Sequence, residues 1–114
     1  MPFLKIQTNQ PLEGPAAKSL AAKASGRVAE LLGKPESYVM VTVETNTAMQ
    51  FAGSDEPLAY LELKSIGLPK TITAAASRAL CDLVSGETGV PANRIYIEFS
   101  DATRQMWGWN GATF

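Results

Sequence analysis

The strongest constraint on this chain is an internal repeat: GKPESYVMVTVE, beginning at Gly33, lies over GVPANRIYIEFS, beginning at Gly89, at a fixed offset of 56 residues. Gly33 falls on Gly89 and Pro35 on Pro91, while Val39, Val41 and Val43 fall on Ile95, Ile97 and Phe99. Residues two apart point to the same side of an extended chain, so both copies present one alternating apolar face. A glycine followed closely by proline ends a helix and prevents its continuation. Each copy therefore reads as the end of a helix followed by a strand.

The flanking segments complete the unit. Pro2 to Thr8 carries Phe3, Leu4 and Ile6 before the breakers Asn9, Gln10 and Pro11, and reads as a strand. Pro15 opens a helix in which Leu20, Ala24, Val28 and Leu31 recur on one face until Gly33. Tyr38 to Glu44 follows as a strand, and Thr45 to Pro57 as a polar loop with a short extended piece at Met49-Gln50-Phe51. The order then repeats: a strand over Leu58 to Ile66, a helix opened by Leu68-Pro69 with Ile72, Ala76, Ala79 and Leu83 facing inward, and a strand over Arg94 to Ser100. This predicts a mixed α/β (α+β) fold: a duplicated β-α-β unit forming one four-stranded sheet, with two helices on one face. The other face would carry Met40, Thr42, Tyr60, Glu62, Tyr96 and Glu98, too apolar in part to be left to water. With the Trp107-Gly108-Trp109 tail, it points to oligomerisation.

At 114 residues the chain fits one domain, residues 1–114. Lysines and arginines are scattered, with a net charge of -1, which argues against a nucleic-acid partner. No apolar run approaches the ~20 residues that span a bilayer, so no membrane segment is expected. Met1-Pro2-Phe3-Leu4-Lys5 lacks the features of a secretory signal, and the cytoplasm is the expected compartment. No histidine and a single cysteine, Cys81, leave no disulfide and no ligand set for a structural metal, and no cofactor is expected. The missing histidine also narrows the choice of general base near neutral pH. It must be a shifted carboxylate, lysine or tyrosine, or a terminal amine.

Several segments match a known family in order and spacing: Met1-Pro2, Gly33-Lys34-Pro35, Tyr38, Met49 to Pro57, Ser65-Ile66-Gly67, Leu80-Cys81, Arg94-Ile95-Tyr96-Ile97 and the tail Gly108 to Phe114. Along its whole length the sequence resembles the family of macrophage migration inhibitory factor and D-dopachrome tautomerase. The resemblance implies a barrel-like homotrimer with short extra strands, three sheets around a central channel and active sites at subunit interfaces. It also implies interconversion of keto and enol forms of compounds such as phenylpyruvate. Carried over by position, it implies Pro2 as the catalytic base, Lys34 as the pocket cation, and Ser65 and Ile66 beside it. Tyr96 is the implied interface tyrosine, and Tyr38 and Trp109 the pocket aromatics.

The residue types agree with these roles. A proline whose nitrogen is free is a secondary amine, and burial near a cation disfavours its charged form. With Met1 attached, the same nitrogen is an amide and is no base. Lys34 at a helix end would ordinarily be a solvated charge favoured by the helix dipole. In the pocket it would instead hold a substrate carboxylate. Pro57-Leu58-Ala59-Tyr60 stands where the vertebrate cytokine has a Cys-x-x-Cys pair, so thiol chemistry has no basis there, and Glu98 and Trp107 also depart from the familiar residues. A non-catalytic oligomeric binding module and a cytokine-like signalling protein, exported without a signal peptide, are the alternatives to the enzyme.

Overall fold

A computed structural model describes residues 1–114. Strand β1 (Phe3–Thr8) leads into helix α1 (Gly14–Leu32) and strand β2 (Met40–Glu44); strand β3 (Ala59–Ile66) leads into helix α2 (Thr73–Thr88) and strand β4 (Ile95–Ala102). The sheet order is β2-β1-β3-β4. Within each repeat the two strands run parallel, as a helical crossover requires, and the repeats meet where β1 lies antiparallel to β3. The duplication read in the sequence is thus a pseudo-twofold of the fold.

Alternation decides which side of the sheet the helices cover. In β1, Leu4, Ile6 and Thr8 are buried, and in β3 Ala59, Leu61, Leu63 and Ser65 are buried, with their neighbours on the other side partly exposed. The apolar ones among them meet Leu20, Ala24 and Val28 of α1 and Leu80 and Val84 of α2 in one core. Each fully buried leucine contributes roughly 1.5–3 kcal/mol from removal of apolar surface from water. The Thr8 hydroxyl lies in this interior and donates to Leu58 O at 2.8 Å, so its burial leaves no unmet polar group.

The strands and the second helix begin later than the apolar pattern predicts. Glu36–Tyr38 and Ala92–Arg94 are single 3-10 turns, matched at the repeat offset, and the strands start after them at Met40 and Ile95. Pro35 and Pro91 set the entry, and their carbonyls accept from Tyr38 N at 3.1 Å and Arg94 N at 2.9 Å. Helix α2 likewise starts at Thr73, after a turn at Lys70–Ile72. Its inward face is Ala76, Ala79, Leu80 and Val84, with Leu83 only partly buried. Met49-Gln50-Phe51 forms no strand and contributes only the bridge Phe51–Ser54. The tail folds as a two-stranded hairpin, β5 (Gly108–Trp109) with β6 (Ala112–Thr113). Asn110 and Gly111, at φ 53° and 76°, make its turn, the left-handed pair that a two-residue hairpin needs. No helix is long and apolar enough to cross a membrane.

Candidate active site

Helix α1 ends by placing Lys34. Gly33 adopts φ 62°, its N–H donates to Glu30 O, and Lys34 N donates to Ala29 O at 3.1 Å, which closes the last turn and sends the chain back toward the sheet. The partly buried ammonium of Lys34 donates to Ser65 Oγ at 3.1 Å and to the carbonyl of Ile66. Two of its three N–H groups are thereby occupied, and one remains.

Ser65 and Ile66 are the last residues of β3, and β1 passes beside them. The register pairs Phe3 with Lys64, so the next step back along β1 sets Pro2 opposite Ser65. Pro2 is fully buried, and its carbonyl accepts from Met40 N at 2.9 Å, which ties the start of the chain between β2 and β3. The terminal amine of Met1 lies at the same place. Burial first, and the Lys34 ammonium second, hold it below its ordinary value.

Around this terminus is a cavity of about 470 Å³ lined by Met1, Pro2, Tyr38, Met40, Trp107, Trp109 and Phe114, among others. The C-terminal segment builds one of its walls with Trp107, Trp109 and Phe114. Trp109 stacks on Phe114 with ring centroids 5.6 Å apart and meets Tyr38 edge-on at 6.1 Å, while Phe114 N donates to Trp107 O at 3.2 Å. Size and lining suit a small molecule with an aromatic ring. Larger or more open hollows elsewhere lack this pairing of apolar walls with a shifted amine.

The residues expected from the sequence thus fall into two groups. Pro2, Lys34, Ser65 and Ile66 gather at one end of the sheet, and Tyr38 and Trp109 wall the adjoining cavity. Tyr96 does not join them: it pairs with Tyr60, five residues along β3 from Ser65, or about 17 Å at the rise of a strand. It is 64% exposed on the uncovered sheet face. Glu98, one of the departures from the familiar residues, accepts from the Tyr60 hydroxyl at 2.7 Å. That bond, with burial and the neighbouring carboxylates adding to it, pushes Tyr60 up to about 12. Cys81 is half-buried against the core, and burial raises its thiol, which fits a packing residue and not a nucleophile.

Met40, Trp107 and Phe114 line the cavity although sequence reasoning did not select them as site residues. The Asn110-Gly111 pair was the available signal, since a hairpin there turns Phe114 back past Trp107 and Trp109.

Comparison with known proteins places the chain in a family. Residues 1–114 match the family described as macrophage migration inhibitory factor (MIF). A homologue of that factor from Brugia malayi is 43% identical over 116 residues, covering 100% of this chain and 99% of that protein. The factor from Xenopus laevis is 31% identical over 115 residues, covering 100% and 99%. The crystal structure of a homologue from Prochlorococcus marinus superposes with a TM-score of 0.94 at 43% identity, over 98% of each chain. Fold, sequence and site geometry converge, and the chain belongs to the macrophage migration inhibitory factor family.

Proposed function

We propose that the protein is a keto-enol tautomerase acting on aromatic 2-keto acids such as phenylpyruvate, with the amino group of Pro2 as general base and then general acid. The observation that carries this reading is the lowered terminal amine at the mouth of an aromatic cavity, with Lys34 beside it. In a chain that begins at Pro2, the same burial and the same cation act on a secondary amine. An ordinary terminal amine, with a pKa of about 7.7–8.0, is mostly protonated at pH 7. Lowering shifts that balance toward the neutral form, which is free to accept a proton.

In the proposed reaction the substrate carboxylate takes the free N–H of Lys34 and the aromatic ring lies among Tyr38, Trp107, Trp109 and Phe114. The neutral Pro2 nitrogen removes a proton from the carbon next to the carbonyl, and the electron pair moves onto the carbonyl oxygen. The resulting ammonium returns the proton to that oxygen to give the enol, and the reverse sequence gives the keto form. No atom is gained or lost, so no cofactor is required. Ser65 and Ile66 act by holding Lys34. The exposed sheet face, with Met40 at 66% and Tyr96 at 64% exposed, is proposed to be covered by two further copies, so that Tyr96 reaches a neighbouring subunit's cavity.

The test is kcat/KM for phenylpyruvate against pH, on chain beginning at Pro2 and shown by light scattering to be a trimer. A lowered amine pKa means that the base form persists to lower pH than in an ordinary terminal amine. The acid fall of the profile should therefore lie below the range of about 7.7–8.0 in which an ordinary terminal amine takes its proton. An acid fall at or above that range, or a monomer mass with full activity, contradicts the proposal.

A further inference from the structure

Arg94 makes no ion pair, yet its guanidinium is almost fully used. It donates through Nε to Pro57 O at 3.0 Å, through Nη1 to Phe51 O at 3.2 Å, and through Nη2 to Ser54 O and Glu56 O, both at 3.1 Å. All four acceptors are backbone carbonyls of one loop. The same guanidinium lies over the Phe51 ring, 5.2 Å from its centroid. Phe51 in turn packs on Tyr96 at 4.6 Å with the planes 36° apart.

The loop needs such a clamp. Phe51 and Ser54 pair through two backbone bonds of 2.9 and 3.0 Å around a two-residue turn, Ala52-Gly53, at φ 53° and 74°. Alanine in the left-handed region is strained and persists only where surrounding contacts enforce it. Charged donors to carbonyls are among the stronger hydrogen bonds available for that purpose. A fork with five N–H groups reaches four carbonyls at once, whereas a lysine ammonium has three donors and no planar geometry.

We propose that Arg94 is a positioning residue: through the Phe51 ring it fixes the direction in which Tyr96 projects from the open sheet face into the neighbouring subunit's cavity. This rests on the tautomerase reading and on Tyr96 serving a second copy. Arg94 itself never touches substrate. Its contribution is preorganisation of an exposed tyrosine that nothing on its own strand restrains.

The test is a double-mutant cycle with phenylpyruvate on Arg94→Lys, Phe51→Leu, Tyr96→Ala and Arg94→Lys/Tyr96→Ala, each confirmed as a trimer. Arg94→Lys and Phe51→Leu should each raise KM about tenfold with kcat within about twofold, and Tyr96→Ala should do at least as much. Because Arg94 acts through Tyr96, the double variant should match Tyr96→Ala alone. Phe51→Leu keeps an apolar side chain in the loop, so it reports on the ring even if Arg94→Lys folds poorly. Multiplying effects in the double variant, or an unchanged KM in both Arg94→Lys and Phe51→Leu, overturns the proposal and leaves the tautomerase reading intact. An inactive wild type overturns both, and Tyr96→Ala with wild-type KM overturns the Arg94 proposal alone.

Discussion

The two repeats share a backbone and divide the chemistry. Gly33 and Gly89 both end a helix at positive φ, 62° and 78°, and both are followed by proline and a 3-10 turn, Glu36–Tyr38 in one and Ala92–Arg94 in the other. What differs is the side chain just after the glycine. Lys34 directs its ammonium at Ser65 and Ile66, whereas the equivalent Val90 is fully buried in the core, its N–H donating to Thr88 Oγ1 at 3.2 Å. Four residues further on, Tyr38 walls the cavity while Arg94 clamps the loop above β4. Duplication supplied two equal frames, and a few substitutions made one end of the sheet a site and the other a support.

Exchanging the equivalent residues is the sharpest way to break this comparison. Val90→Lys places an ammonium at a fully buried position of the apolar core. It should lower the urea unfolding free energy by about 4 kcal/mol or more, or prevent folding. The reciprocal Lys34→Val should cost only about 1 kcal/mol, because the Ile66 carbonyl keeps the Ser65 hydroxyl as a donor at 3.3 Å. Its effect should fall on function, with kcat/KM for phenylpyruvate reduced about a hundredfold, since anchoring and charge go together. Loss of the like charge should also move the acid fall of the pH profile upward, toward that of an ordinary amine. A Lys34→Val enzyme with unaltered kinetics would show the repeats to be functionally equivalent at this position. The mildest exchange, Gly33→Ala or Gly89→Ala, should cost about 1–2 kcal/mol at each site, because neither would-be methyl meets an atom within 4 Å and only the left-handed backbone resists. Similar losses on chemical denaturation would confirm the shared frame, and losses differing several-fold would deny it.

How much was legible follows from how each feature is made. Period-two and period-four apolar spacing reports burial directly, which is why both strand-helix-strand units and the helix-facing side of the sheet could be read from Leu4 and Ile6, Leu20 to Val28, and Ile95 to Phe99. The start of β2 was misplaced because Val39 continues the alternation while Pro35 imposes a turn just before it, and β4 starts one residue later than read because the turn after Pro91 takes in Arg94. Leu83 was chosen over Leu80 and Val84 because a helix of alanines gives weak phase information. Pro2, Lys34 and Trp109 came from family likeness, since no local pattern states that residues near the two chain ends, such as Pro2 and Trp109, will wall one cavity. The Arg94 clamp was invisible for a plainer reason: its partners are carbonyls, and every residue has one.

The central claim is that the terminal amine of Pro2 is the base, and the most direct measurement compares two forms of the same chain. Protein that retains Met1 and protein that begins at Pro2 are separated by intact mass and assayed side by side with phenylpyruvate. Adding one residue turns the Pro2 nitrogen into an amide while the core, Lys34 and the aromatic wall are retained. The account predicts that kcat/KM of the Met1 form falls to about a thousandth or less of that of the Pro2 form, as for loss of a general base and of access to it. Equal rates from the two forms would contradict it, and another group would have to carry the proton.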